Sequence, residues 1–115
     1  MTQPVAHHPV NQLLEFTTYP RQQPALVAAL LEQVERFTCT CPGFISATVQ
    51  ASGDGRRVLN QVLWQSTGAS EEAWRNAGQH FTAFLREHRV TAVNFHAYEV
   101  QGGITLAHPD AVTFK

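Results

Sequence analysis

Two stretches of strand-forming residues, 44–51 (FISATVQA) and 57–65 (RVLNQVLWQ), flank Ser52-Gly53-Asp54-Gly55, whose glycines suit a tight turn. That arrangement predicts a β-hairpin at the centre of the chain. Alternate residues of a strand face opposite sides, so the second arm divides into Val58, Asn60, Val62 and Trp64 against Leu59, Gln61 and Leu63. Both sets are mostly apolar. The first arm divides into Ile45, Ala47 and Val49 against Phe44, Ser46 and Thr48.

The flanking segments supply the rest of a fold. Residues 11–18 (NQLLEFTT) read as a first strand, and Tyr19-Pro20 with Pro24 marks the turn into a helix that tolerates proline in its first turn. From 24 to 37, Leu26, Val27, Leu30, Leu31, Val34 and Phe37 recur at helical steps and form one apolar stripe. Residues 38–43 (TCTCPG) stop that pattern. Ser70 is expected to cap a second helix reaching His88, with Glu71 and Glu72 in its first turn and Trp74, Phe81, Phe84 and Leu85 along it. Residues 90–100 read as a last strand ended by Gly102-Gly103. The order is β-α-β-β-α-β. Short connections and right-handed crossovers make this a ferredoxin-like α+β domain, a four-stranded antiparallel sheet with two helices on one face. The domain is expected over 10–101, with 1–9 a flexible N-terminal segment and 102–115 a C-terminal tail.

Several function classes are disfavoured. Eight Lys plus Arg scattered among nine Asp plus Glu form no basic stripe for a phosphate backbone, so no nucleic acid is expected. No apolar run of about 18 residues is present, and a membrane span is not expected. The opening MTQPVAHHPV lacks a basic segment before an apolar core, which makes the cytoplasm the expected location. Cys39 and Cys41 are too close for an unstrained disulfide, and neither they nor the dispersed histidines form a metal-ligand pattern.

Helices can cover only one face of the sheet. The other needs a partner, since large exposed apolar patches are uncommon on monomers, and a homodimer is expected. On the third strand, Asn60 and Trp64 share a face and present an amide and an indole N–H to an otherwise apolar space, the usual composition of a small-molecule site. The last strand adds either His96 and Tyr98 or Phe95 and Ala97, and parity alone does not choose.

The segment from Pro42 to Ser66, with its PGF opening, glycine hairpin and Asn-x-x-x-Trp strand, resembles the antibiotic biosynthesis monooxygenase family of dimeric α+β barrels. The resemblance runs from about Asn11 to Val100. It implies a cofactor-independent monooxygenase acting with dioxygen on a small aromatic, phenolic or quinol- or anthrone-like substrate, without flavin or metal. Asn60 and Trp64 would then hold the substrate carbonyl or the forming peroxide. Active members often carry an Asn in the first strand, where this chain reads Leu13-Leu14-Glu15-Phe16. Either Glu15 takes a related polar role, as a base in an apolar pocket, or the pocket lacks that activity. His80 and Phe84, which share a helix face, and His96 and Tyr98 are the candidate substrate-binding residues. A haem-degrading relative would want a His near Ala73 and Trp74, and His80 comes too late. The alternatives are an isomerase or lyase using Glu15 as base, or a ligand-binding or stress protein.

Overall fold

The computed structural model describes residues 8–104, the side chain of Gln79 apart. The expected 1–9 segment and 102–115 tail lie for the most part outside the described residues. Four strands and two α-helices follow in order: β1 (Val10–Thr17), α1 (Gln23–Arg36), β2 (Phe44–Ala51), β3 (Arg57–Trp64), α2 (Thr67–Glu87) and β4 (Ala92–Glu99). The sheet order is β2-β3-β1-β4, and every neighbouring pair is antiparallel. Each helix therefore carries the chain past one strand before it re-enters the sheet. This is the expected ferredoxin-like α+β fold. The stretch read as a helix stop holds a third, short helix, a 3-10 turn over Thr38–Thr40. Among the described residues no helix is long and apolar enough to cross a membrane.

The hairpin forms because its loop satisfies its own polar groups. Gly55 N–H donates to Ser52 O, Arg56 N–H donates to Asp54 Oδ1 at 3.0 Å, and Arg57 N–H donates to Ser52 Oγ at 2.9 Å. The Ser52 hydroxyl also reaches Asp54 Oδ1 at 2.7 Å, so the Asp54 carboxyl is held below its ordinary range chiefly by Ser52 and then by the Arg56 amide. Gln23 Nε2 donates to the Ser52 and Arg57 carbonyls, both at 3.0 Å, and ties the start of α1 to the hairpin. Gly55 has a φ of +78°, and a Cβ there would lie 2.9 Å from Pro20 Cβ. Both the left-handed backbone and the close approach require glycine.

The core lies between the sheet and the helices. Val10, Gln12, Leu14 and Phe16 of β1 and Val58, Asn60, Val62 and Trp64 of β3 are buried on this inner face, while Asn11, Leu13, Glu15 and Thr17 of β1 and Leu59, Gln61 and Leu63 of β3 are half-buried on the outer one. Fully buried Phe16 and Leu26, with Leu14, Leu30 and Val58, centre one cluster. Each such side chain stabilises the fold by about 1.5–3 kcal/mol. Val10, Val62 and Trp64 centre another. The stripe of α1 is narrower than its periodicity predicts, because Leu31 and Phe37 are 52% and 61% exposed.

Two expectations are corrected. Helix α2 starts earlier than Ser70: Ser66 is its cap, accepting from the Ala69 amide at 3.2 Å, and Ser70 is a buried residue inside the helix. Glu71 and Glu72 accordingly fall beyond the first turn. In β2 a bulge between Phe44 and Ser46 moves Phe44 onto the inner face with Ala47 and Val49. Ile45 thereby leaves that set and is 44% exposed.

Candidate active site

The inner face of β3 floors a cavity of about 590 Å³ between the sheet, α1 and α2. Asn60 and Trp64 lie on that floor, 6% and 1% exposed, as their shared parity requires. Trp64 is wedged edge-on against Phe44, ring centres 6.0 Å apart, and packs on Val10 and Val62. Trp74, Phe81 and Phe84 of α2 form an aromatic roof, with Trp74 and Phe81 centred 4.9 Å apart and Phe81 leaning on Phe16. The roof is therefore aromatic and the floor carries Asn60 and Trp64, while Gln33, Thr38, Thr40, Asn76, His80 and Glu87 add polar groups around them.

Two of those polar atoms stand out. Asn60 Oδ1 and Trp64 Nε1 are buried and have no hydrogen-bond partner among the described residues. A buried polar atom without a partner costs about 1–3 kcal/mol. Most such atoms in folded proteins are satisfied, and those that are not invite explanation at a functional site.

The remaining sequence candidates divide by sheet face. Phe84 and His80 of α2 border the cavity, Phe84 half-buried and His80 exposed at the rim. Glu15 does not: it stands opposite Leu59 on β3 and Asn94 on β4, on the outer face, where its carboxylate lies 4.0 Å from the Arg57 guanidinium. The period of the strand is the reason, since Leu14 takes the inward position opposite Asn60. His96 and Tyr98 are likewise on the outer face, stacked 6.2 Å apart, and Phe95 and Ala97 are the inward pair. Phe95 meets Trp74 at 5.3 Å. Trp74 thus separates the cavity from a second, shallower groove of about 510 Å³ along β4, which Tyr98 also borders.

Sequence reasoning missed Gln12 and Ser70. Gln12 is 6% exposed, borders the cavity, and accepts a 2.8 Å hydrogen bond at Oε1 from the Ser70 hydroxyl. Its shared parity with Leu14 and Phe16 was the available signal. Cys41 also borders the cavity, and burial, with some help from Cys39, pushes its thiol up from the ordinary range and keeps it protonated. Among the described residues no group of three or more His, Cys, Asp or Glu is placed to hold a metal ion.

No protein-family model matches the chain, and no curated protein matches it in sequence. Solved structures do. A monooxygenase from the gene ActVA-Orf6 of Streptomyces coelicolor, in complex with nanaomycin D, superposes with a TM-score of 0.69 at 22% identity, covering 90% of this chain and 96% of that one. SnoaB, a cofactor-independent oxygenase from Streptomyces nogalater, gives 0.62 at 17% identity over 84% of this chain and 97% of its own. An anthrone oxidase-like protein gives 0.69 at 24% identity, covering 80% of this chain and 39% of that longer one. Strand order, helix placement and the hairpin all belong to one architecture, and this chain has the ferredoxin-like α+β fold of antibiotic biosynthesis monooxygenase-type structures.

Proposed function

We propose that this protein is a cofactor-independent monooxygenase acting on an aromatic, phenolic or quinol-like small molecule of the anthrone type. The observation that carries this reading is the pair of buried, unpartnered polar atoms, Asn60 Oδ1 and Trp64 Nε1, on the floor of an aromatic-walled cavity. A flat oxygenated ring fits beneath such a roof, and its oxygens satisfy those enclosed atoms once the side chains over them shift to admit it. Neighbours of the same fold that are oxygenases support the assignment.

The chemistry asks little of the protein beyond placement. An anthrone that has given a ring-methylene proton to water before it enters the cavity is an electron-rich enolate, and that carbanion reduces dioxygen itself, taking one proton back from water as the hydroperoxide forms. A carbon–oxygen bond forms, the resulting hydroperoxide loses water, and the methylene becomes a carbonyl. One oxygen atom remains in the quinone and the other leaves as water. Trp64 N–H donates to the enolate oxygen as its negative charge grows, while the aromatic roof of Trp74, Phe81 and Phe84 holds the ring. The isomerase or lyase alternative relied on Glu15 as a base, and the outer-face position of that carboxylate removes its support.

The reading includes a homodimer formed through the outer face, where Leu13, Leu59 and Leu63 are only half-buried in one chain.

The test is oxygen consumption with dithranol after treatment with a chelator. Wild type is expected to consume oxygen and release the quinone, and both Trp64→Phe and Asn60→Ala to be strongly impaired. Loss of activity on chelation, or unchanged rates in both variants, would overturn the reading.

A further inference from the structure

The polar floor of the cavity extends to β1. Gln12 stands directly opposite Val62, between Asn60 and Trp64 on the neighbouring strand, and all of these face inward. Diagonal neighbours of this kind have Cα atoms about 7–8 Å apart, within reach of long side chains. A glutamine is an unusual residue to bury among Val10, Leu14 and Phe16, and its amide is not free to turn. The Ser70 hydroxyl, itself only 4% exposed, donates to Gln12 Oε1 at 2.8 Å across 58 residues of sequence. With the oxygen fixed, the amide nitrogen is the end left to bind something else. Nε2 makes no hydrogen bond to a described residue, and Gln12 borders the cavity.

We infer that Gln12, held by Ser70, is a substrate-binding residue that selects aromatic substrates carrying hydroxyls on both sides of the carbonyl. This rests on the oxygenase reading above and adds a specificity to it. Trp64 Nε1 donates to the enolate oxygen, Asn60 Oδ1 accepts from a neighbouring hydroxyl, and Gln12 Nε2 donates to the oxygen of the next one. A site with polar groups set for several oxygens discriminates against an analogue that lacks them, because those groups then stay unpaired. Ser70 is a positioning residue: it touches only the amide and acts by fixing its rotation.

The experiment compares dithranol, whose hydroxyls flank its carbonyl, with unsubstituted anthrone, in wild type, Gln12→Met and Ser70→Ala. Methionine fills nearly the same volume without the amide. In Gln12→Met the kcat/KM for dithranol should fall about tenfold, the effect of one lost hydrogen bond, mainly through KM because the contact is made in ground and transition states alike. The loss with anthrone should be several-fold smaller. Ser70→Ala should lose part of the same preference while leaving the glutamine in place, and it carries the test if Gln12→Met does not fold. Equal losses on both substrates mean that Gln12 only packs, and no loss on either means that it is idle. Either result overturns the inference and leaves the oxygenase reading standing. Wild type that oxidises neither anthrone overturns both.

Discussion

Leu14 stands directly opposite Asn60 across the β1–β3 ladder, and that pairing assigns the faces of the sheet. Asn60 looks into the cavity beside an apolar neighbour, and Glu15, one residue along, looks away from it. Glu15→Gln should therefore leave the rate of anthrone oxidation within about twofold of wild type. Stability should change by less than about 1 kcal/mol, because the Arg57 pair is exposed and long. Initial rates and chemical denaturation check both. A dead but folded Glu15→Gln would return the base to the mechanism.

Trp64→Phe separates packing from chemistry. Phenylalanine keeps most of the contact with Val10, Val62 and Phe44 but has no N–H. Removing one placed donor to a developing oxyanion costs about 3 kcal/mol, roughly a hundredfold in rate. The fold has already tolerated an unpartnered indole N–H, so thermal stability should fall far less than turnover. Oxygen uptake and a melting curve on the same preparation decide it.

How much of this was legible beforehand depends on the residue. The hairpin, the element order and the shared face of Asn60 and Trp64 follow from periodicity, which acts within one strand. Periodicity leaves open which face Glu15, His96 and Tyr98 take, because the inward parity of β1 and β4 is set by pairing with strands distant in sequence. Tyr98 has nearly the side-chain character of Phe95, and neither pattern is polar enough to choose. Ser70 looked like a cap because serine before Glu71 and Glu72 suits a helix start, but Ser66 and the Gly43 turn set that start earlier. Gly43 has a φ of +86°, and a Cβ there would meet Ala69 Cβ at 2.5 Å, so β2 begins pressed against the first turn of α2. No local pattern announces a contact of that kind.

The outer face makes a prediction about assembly. Leu63→Glu places a carboxylate among Leu13 and Leu59, which a second copy would have to bury. Light scattering should show a dimer for wild type, burying well over about 1,000 Å² in total, and a monomer for the variant. A wild-type monomer at micromolar concentration would refute this.

Asp54 gives a pH dependence with a defined sign. Its folded-state pKa lies below the ordinary value of 3.8, so its contribution to stability is present above that value and is lost as pH falls through the lower, folded one. Asp54→Asn should flatten the acid limb of the stability curve below about pH 4 and leave the neutral region nearly unchanged. Urea denaturation at a series of pH values measures it.

Gly55→Ala tests the turn itself. Its left-handed φ and the approach of Pro20 should make alanine destabilising by about 1 kcal/mol or more, a fall of about 4–8 °C in melting temperature. Gly53→Ala has open space around the new carbon and is the matched control.

The strand order also sets the sequence of events by which the chain reaches this state. Only β2 and β3 are joined by a short loop, whereas β1 must find β3 across α1 and β4 must return to β1 from the far end of the domain. Loop closure becomes costlier with separation, and non-local pairings form more slowly. Until β1 docks, Gln12 and Leu14 are absent from the floor beside Asn60 and Trp64, and a nascent chain has no cavity in which to capture a substrate.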